Sequence, residues 1–73
     1  MAEVIKAELT GTVWKVLVKP GDAVEEDDEL IILESMKMEI PVETPVDGTV
    51  AEICVAEGDA ITEGQILAKV DED

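Results

Sequence analysis

The fold is decided by a stretch that the chain uses twice: GTVWKVLVKPGDAV at residues 11–24 and GTVAEICVAEGDAI at residues 48–61. The offset between the two copies is 37 residues without a gap. When residues 11–34 are compared with residues 48–71, nine of the 24 positions are identical. This degree of identity in so short a stretch indicates that one half-domain is used twice.

The repeat divides the chain evenly around one residue. Residues 1–36 map onto residues 38–73, and Lys37 is the joint between them. A chain of 73 residues makes one small domain at most. We therefore interpret residues 1–73 as a single domain with an internal repeat and a pseudo-two-fold axis. That symmetry predicts that the Lys37 joint lies at the opposite end of the domain from the paired chain termini.

Residue types and turn signals predict strands throughout. Ten Val, seven Ile and five Leu accompany a single aromatic residue, a balance that favours strands. No segment shows a sustained helical period. We predict an all-β fold, a flattened β-barrel or sandwich of two small antiparallel sheets. The expected strands are residues 4–7, 12–19, 30–35, 38–44, 49–55 and 65–70, with a brief extended piece at 23–24 and a frayed end at 71–73.

Several irregular positions are also predicted. The shared apolar positions step by three and then by two, which indicates a β-bulge near Trp14–Lys15 and another near Ala51–Glu52. Asp27 stands where the other copy has Gly64 and is expected to adopt the left-handed conformation. Gly11 is expected to supply a backbone angle that other residues avoid. Trp14 is predicted to be a packing residue.

The charge balance excludes some partners. Nineteen acidic residues face five Lys and no Arg, giving a net charge of −14. Nucleic acid and anionic membrane would both repel such a chain, so neither is an expected partner. No apolar run approaches bilayer-spanning length, and no signal-peptide pattern is present. We expect a cytoplasmic, monomeric protein.

The residues do not suggest a catalytic centre. The chain has no His or Tyr, and its only cysteine, Cys54, is interpreted as a small apolar strand residue. The acidic run at residues 25–29 lacks the ligand spacing and central glycine of a calcium loop, so it is interpreted as a solvated turn. We see no paired carboxylates at a credible spacing and predict that the protein is not an enzyme and binds no metal.

Lys37 lies in a turn that breaks a local rule. The flanking strands leave only Met36 and Lys37 to connect them, which predicts a two-residue hairpin. Such turns require positive φ and normally use Asn and Gly. A rule broken without visible gain often marks a functional site. The sequence therefore predicts one lysine projected into water from a rigid tip.

The sequence around this lysine, ESMKME at residues 34–39, resembles the attachment motif of biotinyl domains, whose core is Met-Lys-Met. The resemblance extends over nearly the whole chain and is greatest to small single-domain biotin/lipoyl attachment proteins. It implies that the Lys37 ε-amine carries biotin, with Met36 and Met38 as recognition and cofactor-packing residues. Glu34, Ser35 and Glu39 are candidates for ligase recognition, and solvated strand ends are the alternative.

The resemblance also implies partners and a role. Biotin protein ligase would load the lysine, and the loaded arm would carry carboxyl groups between biotin carboxylase and carboxyltransferase subunits. Two other interpretations stay open. Lipoyl domains share the fold and modify the equivalent lysine with lipoate, although their motif usually has Ala where Met38 stands here. The third is a binding module that is not modified at all.

Overall fold

The computed structural model describes residues 2–73, and these form eight β-strands with no helix. The strands are β1 (Ala2–Lys6), β2 (Gly11–Val16), β3 (Ala23–Val24), β4 (Glu29–Ser35), β5 (Met38–Glu43), β6 (Gly48–Ile53), β7 (Ala60–Ile61) and β8 (Ile66–Glu72). They make two four-stranded sheets. The first sheet has the order β1-β8-β6-β3, and the second has the order β5-β4-β2-β7. All of the pairs are antiparallel, as the sequence predicts.

The core is aliphatic and lies between the sheets. Its members are buried Val, Ile, Leu and Ala residues supplied by both copies of the repeat: Ile5, Ala7, Val13, Val24, Leu30, Ile31, Leu33, Val50, Val55, Ile61, Leu67, Ala68 and Val70. Five of these positions are buried in both copies at the 37-residue offset, for example Val13 with Val50 and Leu30 with Leu67. The repeat therefore supplies one half of the core twice.

Both predicted bulges are present. The β2–β4 register shifts between Val13 and Lys15, and the β6–β8 register shifts between Val50 and Glu52. Asp27 has a φ of 74°, and its counterpart Gly64 has a φ of 89°, so the left-handed conformation predicted for Asp27 is confirmed. The pseudo-two-fold relation thus holds at the level of single backbone irregularities.

Three local expectations are wrong. Gly11 does not have a positive φ. It is needed because a Cβ there would lie 2.5 Å from the Glu34 carbonyl oxygen. The end of the chain is not frayed, because β8 runs to Glu72 and is paired with β1 on one side and β6 on the other. Trp14 is not a buried packing residue, since 41% of it is exposed.

The termini lie at the end of the molecule away from the β4–β5 turn. Ala2 pairs with Asp71, which places the two chain ends side by side. The Asp73 N–H donates to the Asp47 carbonyl, and the Asp47 carboxylate accepts from the Glu26 N–H. Glu26 comes just before β4 begins, whereas the β4–β5 turn follows the other end of β4. The termini are therefore at the open end of that hairpin, as the symmetry predicts.

Candidate attachment site at the hairpin tip

The β4–β5 hairpin is closed by a two-residue turn of Met36 and Lys37. Ser35 pairs with Met38, and the two residues between them have φ values of 52° and 65°. Positive φ at both central positions is the type I′ geometry, whose twist matches that of the flanking strands. An L-residue in this conformation costs about 1–2 kcal/mol. The turn therefore holds both residues in an unfavourable conformation that the paired strands maintain.

The tip is highly exposed. Met36 is 92% exposed and Met38 is 63% exposed, with Lys37 between them also exposed. Among residues 2–73 the one salt bridge joins Lys69 to Glu52, so no carboxylate pairs with the Lys37 amine. Two large apolar side chains in water flank a charged group that has no partner. Nothing in the folded domain explains this exposure, which is what a site for a second molecule requires.

The stem beneath the tip is braced. The Ser35 hydroxyl donates to the Thr10 carbonyl at 3.1 Å, which ties β4 to the loop before β2. Because Gly11 has no side chain, the start of β2 lies closer to the Glu34 carbonyl of β4 than a Cβ atom would permit. Ser35, a candidate for ligase recognition, thus has its hydroxyl engaged within the domain. The sequence does not indicate either contact, because Ser35 and its partner Thr10 are 25 residues apart and Gly11 is similarly distant from Glu34.

Glu34 and Glu39 are paired directly across β4 and β5, just below the turn. Both carboxylates are exposed, and like charges at directly opposite positions are destabilising. The structure therefore gathers Glu34, Met36, Lys37, Met38 and Glu39 at one tip. Ser35 is held at its base.

Other candidate nucleophiles are less suitable. Cys54 is exposed and lies just beyond β6, so its interpretation as a strand residue is wrong. Its thiol donates to the Glu52 carboxylate at 3.2 Å. Partial desolvation, together with Glu52, raises the pKa of the Cys54 thiol and disfavours the thiolate. Lys15 lies over the Trp14 ring, 5.5 Å from its centroid.

None of the remaining lysines lies in the turn between two paired strands. Lys6 and Lys69 lie on strands, and Lys69 is paired with Glu52. Lys19 was expected on a strand but follows β2, where its N–H donates to Asp22. The described residues contain no group of side chains suited to a metal ion. Lys37 is therefore the amine best placed to accept a group from another molecule.

Fold and tip together define a class of protein: small two-sheet β domains that present a lysine on a tight, exposed hairpin. Residues 1–70 match the family model for biotin and lipoyl attachment domains, described as biotin-requiring enzymes. The chain belongs to this biotin/lipoyl attachment family.

Two relatives are similar over almost their whole length. The chain is 44% identical over 66 residues to the biotin/lipoyl attachment protein of Bacillus subtilis, covering 90% of each chain. It is also 44% identical over 70 residues to the biotinylated protein TB7.3 homolog of Mycobacterium leprae, covering 96% of this chain and 99% of the relative. The first of these names includes both cofactors, and the second includes biotin.

A solved structure shows where such domains occur in larger proteins. The Kluyveromyces lactis urea carboxylase superposes with a TM-score of 0.92 at 37% identity, covering 97% of this chain and 6% of that one. The biotin-dependent acyl-coenzyme A carboxylase alpha3 subunit of Mycobacterium leprae is 41% identical over 68 residues, covering 93% of this chain and 11% of that one, so homologous domains sit within biotin-dependent carboxylases. Residues 2–73 contain no helix that could span a membrane.

Proposed function

We propose that this protein is a biotin carrier in which the Lys37 ε-amine forms an amide with the biotin carboxyl group. The observation that carries the proposal is the exposed Met36-Lys37-Met38 turn in a chain of the biotin/lipoyl family. In this proposal residues 1–73 act as one carrier domain. Its repeats, 1–36 and 38–73, form the rigid body on which Lys37 stands.

Loading requires a separate ligase. A lysine attacks an activated carboxyl group only as the free amine. No side chain among the described residues pairs with the Lys37 amine and could take its proton. Biotin protein ligase must therefore supply both the activated biotin carboxylate and the base. The amide N–C bond forms, the activating group leaves, and the amine's proton passes to the ligase.

The loaded domain needs no catalytic residue of its own. When bound, the ureido ring of biotin accepts a carboxyl group at one enzyme and releases it to a substrate at another. The chain's contribution is to hold the attachment point rigidly and expose it on all sides. Met36 and Met38 provide flexible apolar contact surface beside the amine. We propose that the partners are biotin carboxylase and carboxyltransferase subunits, with the carrier itself a non-catalytic monomer.

Biotin is favoured over lipoate by the residues and by the relatives. Met38 stands where lipoyl domains usually have Ala, and the relative matched over 99% of its length is named as biotinylated. A Met on each side of the lysine presents more apolar surface than Ala would. The cytoplasmic location remains a prediction of the sequence.

Intact mass of the protein purified from its native host, grown with biotin, tests the proposal. A biotinyl increment is expected in the wild type and in Lys69→Arg, a matched lysine on a strand. Lys37→Arg should lose it. A lipoyl increment lost in Lys37→Arg would identify the alternative cofactor. No increment on the wild type would leave the unmodified binding module and overturn the proposal.

A further inference from the structure

The two β-bulges occupy equivalent places in the two sheets but display different side chains. In the second sheet the bulge exposes Trp14 and Lys15. In the first sheet the same positions, 37 residues later, are Ala51 and Glu52. Trp14 is the chain's only aromatic residue. The symmetry therefore provides an internal comparison: the same backbone position carries the largest side chain on one face and one of the smallest on the other.

The residue beside the bulge also differs between the two sheets, and the second sheet again carries the more apolar side chain. Beside the Trp14 bulge, Ile32 pairs with Lys15 on one side and with Pro41 on the other. Ile32 lies between two buried core residues of β4, so its own side chain faces away from the first sheet. The position equivalent to Ile32 is Lys69. Beyond the bulge, Leu17 is 48% exposed.

The first sheet has an ion pair on its outer face, although Val4 and Ile66 of that sheet are also exposed, whereas no ion pair is described on the second sheet. Lys69 is bridged to Glu52 at 3.7 Å, and Glu52 also accepts from the Cys54 thiol. On the second sheet the Lys15 ammonium lies 5.5 Å from the centroid of the Trp14 ring, and 41% of Trp14 remains exposed. Single apolar residues on a surface are ordinary. Here a Trp, an Ile and a Pro lie together on one face.

The same face carries the unfavourable glutamate pair. Glu34 lies two residues beyond Ile32 on β4, so both side chains point outward. Glu39 opposes Glu34 and likewise shares its side of β5 with Pro41. From the tip downward, this face therefore presents two carboxylates and then the apolar group. We call the set formed by Trp14, Ile32, Pro41, Glu34 and Glu39 the tryptophan face.

We propose that the tryptophan face docks the enzyme that carboxylates the loaded arm. That enzyme would offer an apolar pocket for the indole ring, bordered by basic side chains that face Glu34 and Glu39. Trp side chains commonly dominate the binding energy of protein interfaces, and opposite charges guide the encounter. Two like charges that destabilise the free carrier would become favourable against such a partner. The proposal rests on the proposed biotin carrier function.

The position of the face suits an enzyme that uses the arm. Ile32 lies three residues before the end of β4 at Ser35, roughly 10 Å at the rise of a strand, and the Met36–Lys37 turn follows that end. A protein that covers Trp14 therefore binds the side of the domain and leaves the tip free. This arrangement fits an active site that the long biotinyl arm enters, rather than one that must hold the bare amine.

A kinetic comparison tests the docking. The probe is purified biotin carboxylase of the native host, identified by its ATP-dependent carboxylation of free biotin. Its KM is measured for loaded wild type, Trp14→Ala and Ile66→Ala. Ile66 is the matched control, because it is 40% exposed but lies on the first sheet. Trp14→Ala gives its position the residue of the other copy and should raise KM about tenfold or more, with kcat unchanged at saturation.

Labelling the unmutated chain gives a second measurement that does not depend on how a variant folds. A carrier containing 5-fluorotryptophan has one fluorine, at Trp14. Adding unlabelled carboxylase should shift or broaden its single ¹⁹F signal, and high salt should reverse the effect.

The outcomes separate the two proposals. If mass spectrometry finds no biotin on Lys37, the carrier function is wrong and the docking proposal falls with it. If Lys37 is loaded, but Trp14→Ala and Ile66→Ala have equal KM values and the ¹⁹F signal does not move, the docking proposal alone is overturned. A signal that moves with the carrier's own concentration, without carboxylase, would identify a second copy as the occupant and also overturn it.

Discussion

Replacing Met36 with Asn should make the protein more stable and a poorer substrate for its ligase. Met36 has a φ of 52°, a conformation that costs an L-residue about 1–2 kcal/mol and that Asn adopts more readily. Asn is also a preferred residue of type I′ turns. Relief of part of this cost should raise the free energy of unfolding by about 1 kcal/mol.

Very little packing offsets that gain. Full burial of a Met side chain contributes about 1.5–3 kcal/mol. Because Met36 is 92% exposed, less than a tenth of that contribution is present in the free domain. For a domain of this size a net gain of 1 kcal/mol corresponds to a rise of roughly 4–8 °C in Tm. Thermal melts of the unloaded protein, followed by circular dichroism, measure it.

The same exposure determines the expected loss of function. If the ligase buries the Met36 side chain, that burial contributes nearly the full amount, about 1.5–3 kcal/mol, to binding of the ligase, and Met36→Asn loses this contribution. That corresponds to a decrease of about tenfold to a hundredfold in kcat/KM for biotin loading. Intact mass against time gives the loading rate.

Met38→Asn is the matched control. Met38 is 63% exposed but does not have a positive φ, so its replacement should slow loading without raising Tm. A Tm for Met36→Asn equal to or below that of the wild type would refute the argument from the turn. A raised Tm with unchanged loading would instead refute the assignment of Met36 to recognition.

Three further changes test the stem and the face beside it. Glu34→Gln removes the repulsion across β4 and β5, so thermal melts should show a gain of about 0.2–1 kcal/mol, while the carboxylase KM rises. Ser35→Ala removes the bond to the Thr10 carbonyl and should cost about 0.5–1.5 kcal/mol, with faster amide exchange at the tip; Ser35→Thr should retain most of the protection. Gly11→Ala forces a methyl group against the Glu34 carbonyl and should lower stability by about 1–3 kcal/mol in urea titrations.

Much of this fold could be predicted because the sequence contains an internal comparison. The repeat shows which apolar positions recur, and their uneven spacing predicts the positions of both bulges. The match between Asp27 and Gly64 predicted a positive φ that Asp alone would not suggest. The short connection between two strands likewise predicted the Met36–Lys37 turn. In each case the signal is local in the chain or lies at the fixed offset of the repeat.

The errors concern contacts that neither kind of signal contains. Asp71 and Glu72 are acidic and terminal, which suggests fraying, but β8 lies between two partner strands that hold it. Gly11 has a steric rather than a conformational role, which depends on how closely β4 approaches it. The exposure of Trp14 depends on which way a bulge turns its extra residue. The repeat could indicate where the bulge is, but not which of its side chains would remain in water.

The symmetry of the fold also places the chain termini and the Lys37 turn at opposite ends of the domain. Asp73 is bonded to Asp47 at the open end of the β4–β5 hairpin, and Lys37 is at the closed end. A chain that continues beyond either terminus therefore leaves from the side opposite the tip and does not obstruct it. The Kluyveromyces lactis urea carboxylase, of which the matching segment makes up 6%, contains such additional chain. The breaks in the symmetry, at Lys37 and on the tryptophan face, are where we place the carrier's contacts with other proteins.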